Sequence, residues 1–131
     1  MSERGSMLPF MAALIFVGLV VTGLALDAAL LAATYREVAF AADVGAEAGA
    51  AELAVGAYSE TPLLDPGRAE ATAVRAALAA RPRSGRSAVA SADVGGVCLT
   101  VIDQYQPRIL GAIGVASTEV TVEACAVPGR G

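Results

Sequence analysis

The sequence predicts an α+β protein with a long N-terminal helix, a second short helix and a small, mainly antiparallel sheet. Three observations lead there. Residues 6–26, SMLPFMAALIFVGLVVTGLAL, carry no charge over twenty-one positions. Residues 28–58 continue without a proline and are rich in Ala, Leu and Glu, all good helix formers. Beyond residue 96 the apolar residues change from helical spacing to alternation, the period of a half-buried strand.

The uncharged run comes first because it constrains function most. At 1.5 Å per residue it makes roughly 30 Å of apolar helix, the thickness of a bilayer's hydrocarbon core. Residues 1–5 are then a short head, 6–26 a transmembrane segment, 27–58 an amphipathic continuation and 59–131 a small α+β domain. Arg4 and the amino terminus outweigh Glu3 before the span, and Asp27 opens the segment after it. The positive-inside bias therefore favours a cytoplasmic N-terminus and an extracytoplasmic C-terminal domain. Cys98 and Cys125 both fall in that exported part, where thiols can be oxidised. A cleaved secretory signal, cut near Ala25 or Ala28, is the competing reading, although such signals normally have a shorter apolar core and a more basic head.

Beyond Asp27, steps of 100° place Leu31, Tyr35, Val38, Ala42, Gly45, Gly49 and Leu53 on one stripe. Arg36, Asp43 and Glu47 fall on the opposite side. Gly45-x-x-x-Gly49 is a small-x-x-x-small face that lets another backbone approach closely. Two readings stay open: the stripe is an interface for a partner helix, or it packs on the chain's own domain. On the first, Gly45→Leu or Gly49→Leu would impair partner capture and leave the domain folded.

Residues 59–67, SETPLLDPG, read as a loop. Asp65 is a fair N-cap with Pro66 at the first helical position, so a second helix is expected over 68–80, ended by Pro82. The arginines of Arg81-Pro-Arg-Ser-Gly-Arg86 are expected in a solvated, mobile loop, with docking of an acidic surface as the alternative. Val97, Leu99 and Val101 alternate with Cys98, Thr100 and Ile102, and Val120, Val122 and Ala124 with Thr121, Glu123 and Cys125, predicting two strands. Residues 87–94 supply a third through Gly95-Gly96, and residues 107–113 a short helical turn. Pairing the main strands antiparallel with Cys98 opposite Cys125 puts Leu99 against Ala124 and Val101 against Val122 on the core side. A slip of one residue would invert a whole strand. Directly opposed cysteines are within disulfide reach, and the bond should stabilise a core this poor in aromatics by roughly 3 kcal/mol.

Chemistry is hard to find in this chain. It has no His, Lys or Trp, so no nucleophile has the usual base for proton transfer at neutral pH. Two cysteines without further ligands do not make a zinc site, and Gly95-Gly96 lacks the context of a phosphate loop. A net charge of −4 argues against a nucleic-acid footprint. No enzyme activity, cofactor, metal, nucleic acid or small-molecule substrate is therefore expected; the expected partners are the membrane and other protein subunits.

Several segments resemble the TadE/TadG-like proteins of tight-adherence (Flp) pilus systems. They are the head ending Arg4-Gly5-Ser6 before the span, the Ala-rich stretch AADVGAEAGA at 41–50, and the tail segments VCLTV at 97–101, PRILGAIG at 107–114 and VTVEACA at 120–126. The resemblance covers most of the chain and rests on the order and spacing of motifs that are individually loose. It implies a pseudopilin-like fold and a role as minor pilin or assembly accessory. It also implies that a prepilin peptidase cuts between Gly5 and Ser6. The chain departs from the pattern at Phe10, the fifth residue of such a mature chain, where processed pilins usually carry Glu. An unpaired charge is costly inside an apolar filament; without that Glu the usual pairing with a neighbour's amino terminus is lost, which argues against a place in the fibre's main body. A tethered binding module that recruits an envelope or secretion partner, outside any fibre, is the alternative.

Overall fold

A computed structural model describes residues 7–53 and 63–129. In chain order the elements are α1 (Met7–Ala50), α2 (Pro66–Ala80), β1 (Ser87–Ala92), β2 (Val97–Tyr105), α3 (Ile109–Ala112) and β3 (Thr118–Ala126). The architecture is α+β, with two helices laid on one face of a three-stranded antiparallel sheet of order β1-β2-β3.

α1 is a single helix of 44 residues, about 66 Å long at helical rise. It stops earlier than the expected residue 58, and residues 54–62 lie outside the described residues. Beyond Ala50 the chain leaves the helix and packs against α2. The Glu52 carboxylate accepts from the Thr72 hydroxyl at 3.0 Å and pairs with Arg68 at 2.9 Å. Leu53 bridges antiparallel to Leu64, whose side chain is sealed in the core.

α2 begins as its sequence predicts. Asp65 is extended and its side chain accepts from the Arg68 amide at 3.2 Å, satisfying one of the unpaired donors of the first turn. Ala69, Ala73 and Ala77, four residues apart, are fully buried. This alanine ridge lets α1 come close enough that a Cβ on Gly49 would stand 2.9 Å from the Ala69 carbonyl oxygen and from the Ala73 methyl.

The sheet is also formed in the expected register. Cys98 faces Cys125, Leu99 faces Ala124, Thr100 faces Glu123 and Val101 faces Val122. β1 pairs with β2 from Ser87 opposite Ile102 to Ala92 opposite Val97. At the β1–β2 turn, the Asp93 side chain accepts from the Gly95 and Gly96 amides at 2.7 and 2.9 Å, the local bonding that suits Asp to turns. Val97, Leu99 and Val101 point into the core with Val38, Ala42 and Ala46 of α1. A disulfide joins Cys98 to Cys125 across the other face, at a separation of 27 residues.

Candidate membrane junction and docking surface

The first half of α1 projects beyond the domain. It is long and apolar enough to cross a membrane, and its most apolar window is only 11% buried. A helix at the centre of a soluble core would be covered; here Phe10, Ile15, Phe16 and Leu19 are each at least 63% exposed. The Gly5–Ser6 bond lies outside the described residues.

Where the uncharged run ends, the domain takes hold of the helix. Asp27 is 2% exposed, and its carboxylate accepts from three consecutive backbone amides. Arg108 donates to Oδ1 at 3.0 Å, Ile109 to Oδ2 at 3.1 Å and Leu110 to Oδ2 at 2.7 Å. The Tyr105 hydroxyl donates to the Asp27 carbonyl oxygen at 2.9 Å. The residue before α3, Arg108, makes no side-chain capping bond. A carboxylate from a distant helix thus satisfies amides that a local cap would ordinarily hold. The Leu110 amide bond is the main reason the Asp27 carboxyl sits below its ordinary value, with burial opposing it. Tyr105 is pushed above its ordinary value, first by burial and then by the Asp27 charge.

The seven stripe residues divide into two sets. Val38, Ala42, Gly45 and Gly49 are buried inside the chain itself. A Cβ on Gly45 would collide with the Leu99 side chain and lie 2.8 Å from the Ala73 carbonyl oxygen. The glycine face is thus occupied by α2 and β2, so of the two readings left open it is the packing on the chain's own domain that holds at Gly45 and Gly49. Small residues were needed there because two backbones of the same chain meet. Leu31, Tyr35 and Leu53 remain 36%, 54% and 46% exposed. Leu31 and Tyr35, with Ala28 and Ala32, form one wall of a groove of 660 Å³ whose other wall is Thr118 and Val120 of β3.

The arginine-rich connection is also more ordered than expected. Gly85 adopts φ +88°, a conformation that side-chain-bearing residues rarely take. The adjoining Arg86 turns inward and donates to the Asp103 carboxylate through Nε at 3.0 Å and Nη2 at 2.7 Å. Both side chains are at most 2% exposed. Nη1 of Arg86 donates to the Arg81 carbonyl oxygen at 2.7 Å, Arg83 pairs with Glu37 at 3.0 Å, and the Arg81 guanidinium lies over Phe40. The expected solvated loop holds for residues 81–85, which are exposed, and is corrected at Arg86 alone, which is buried against Asp103. At the opposite edge, Cys98, Glu123 and Cys125 lie close enough to suggest a metal cluster. The disulfide, however, engages both sulfurs.

Sequence reasoning treated Asp27 only as the end of the span and placed Asp103 nowhere. A carboxylate following an apolar run is ambiguous when the amides that donate to it lie 81 to 83 positions away. Asp103 did leave a signal: it continues the inward alternation of Val97, Leu99 and Val101, and a buried carboxylate needs a partner. No protein-family model matches this chain, and neither the curated proteins nor the solved structures give a significant match.

Proposed function

We propose that this is a single-pass membrane-anchored protein, N-terminus in the cytoplasm and domain outside, serving as a minor pilin or assembly accessory of a tight-adherence pilus or a related secretion system. The observation that carries the reading is the continuity of α1. One unbroken helix runs from an exposed apolar half into a half packed on α2 and the sheet, so the anchor continues directly into the domain's core. The disulfide fits an oxidising compartment. The pilus assignment rests on the resemblance of the head ending Arg4-Gly5-Ser6 and of residues 41–50, 97–101, 107–114 and 120–126. The role is structural, with the exposed Leu31 and Tyr35 as the contact for neighbouring subunits.

A tethered binding module outside any fibre is the second reading. It is favoured by the burial of the Gly45–Gly49 face, which leaves less of α1 free to pack among identical helices. Mass spectrometry of the mature N-terminus tests both readings. A chain beginning at Ser6 supports prepilin processing, and one beginning near Met1 supports the tether. A start beyond Ala25 sinks both, because the anchor is then gone. Loss of surface pili on deletion of the protein from its native cell, with recovery by the intact chain, separates the pilus role from the tether.

A further inference from the structure

We propose that residues 109–115 form a second membrane contact, seated in the outer interface of the same bilayer that α1 crosses. The inference rests on α1 being a span, and it adds a lipid-facing surface that belongs to the domain. Its basis is the level at which α3 meets α1. A Cβ on Gly23 would stand 2.8 Å from Cγ2 of Ile109. Gly23 lies three residues inside the end of the uncharged run, roughly 4–5 Å along the helix axis. The Asp27 carboxylate holds the Arg108, Ile109 and Leu110 amides at that level, so the turn cannot ride up the helix without breaking three bonds.

The chemistry of the turn matches its position. Residues 109–118 read ILGAIGVAST, without a charge. Ile113 is 78% exposed, Val115 47% and Ile109 41%, a concentration of bare aliphatic side chains on a short segment. Arg108, exposed at its start, has the length to reach lipid phosphates from the interface. Interfacial elements bury their apolar face about 5–10 Å into the headgroup and acyl boundary, enough to reach the level of Gly23. A water-borne protein would have to enter the headgroup layer to cover these side chains, so lipid is the occupant the geometry points to.

The chain has no Trp, so single-tryptophan reporters are unambiguous. Full-length Ile113→Trp, Val115→Trp, Phe16→Trp and Val127→Trp are reconstituted in phosphatidylcholine vesicles containing lipids brominated at shallow or deep acyl positions. Non-reducing peptide mapping of the Cys98–Cys125 link checks folding. The expected result is strong quenching of residues 113 and 115 by the shallow bromines, the reverse depth order for residue 16, and no quenching of residue 127. If residue 16 is quenched and neither 113 nor 115 is, the second contact is overturned while the anchor stands. If residue 16 is unquenched, the span itself is overturned and this inference goes with it.

Discussion

The Leu110 amide donates to the Asp27 carboxylate at 2.7 Å across eighty-three positions of sequence. Arg108 and Ile109 donate to the same group, so one side chain at the exit of the apolar run sets where the domain sits along the helix. On the anchored reading, this bond set fixes the height and rotation of the domain above the bilayer.

Asp27→Asn should therefore lower the melting temperature in detergent micelles at neutral pH, because an amide NH₂ group would face donors. The acid limb changes too. Asp27 titrates below the ordinary 3.8, so its contribution is complete above that value and is lost as pH falls through the lower, folded one. Wild type should destabilise more steeply than Asp27→Asn in that acid window. Tyr105 titrates above its ordinary 10.0; its contribution is complete below that pH and lost as pH rises through the folded value. Tyr105→Phe should flatten the alkaline limb. Circular dichroism melts across the pH range check both signs.

Gly45→Leu should destabilise the domain itself. The new side chain would meet Leu99, Ala73 and Ala77, and overpacking a close contact typically costs about 1–3 kcal/mol. Gly18→Ala is the control: among the described residues nothing stands within 4 Å of a Cβ at that position, so the domain's unfolding midpoint should not move. A Gly45→Leu variant with wild-type stability would place the glycine outside the core.

Removing Arg86 should be more damaging than removing an exposed arginine. Arg86→Met leaves the Asp103 carboxylate buried with the Gln104 amide on Oδ1 at 2.8 Å and, as a charged partner, the longer 3.6 Å contact to Arg83. Breaking a buried ion pair from one side costs about 3–5 kcal/mol. Replacing both partners, Arg86→Met with Asp103→Leu, should recover much of that loss, since apolar replacements of buried pairs are often tolerated. A double-mutant cycle in urea measures the coupling. Arg75→Ala, at an exposed position on α2, should change stability by less than about 0.5 kcal/mol.

Cys98→Ala with Cys125→Ala should lower stability by about 3–4 kcal/mol for a closed loop of this size. Reductant added to wild type should produce a comparable loss, and reductant should leave the double variant unchanged. Comparing melting curves with and without dithiothreitol makes the measurement.

The fold class, the two main helices, the three strands and the Cys98–Cys125 register were legible in the chain, because each is written within a few neighbouring residues. Alternation from Val97 to Val101 marks a strand, Asp65-Pro66 starts a helix, and the pleat permits one pairing that buries Leu99 while bringing the cysteines together. The end of α1 was not legible. Ala, Glu and Val beyond Ala50 have good or fair helical propensity, and the groups that meet the chain there, Thr72 and Arg68 on Glu52, come from α2.

The roles of buried groups belong to the same second category. Helical spacing identified a stripe through Gly45 and Gly49 and could not say which surface would cover it; the Ala69–Ala77 ridge of α2 does. The loop motif placed Arg86 in solvent and Asp27 marked only the end of the span, yet one is matched by Asp103 and the other by the amides before and within α3. Local pattern governs backbone conformation because turns, caps and periodicity act over a few residues. The state of a charge or a glycine face depends on what the folded chain brings against it from far along the sequence, and burial without a partner is too costly to persist.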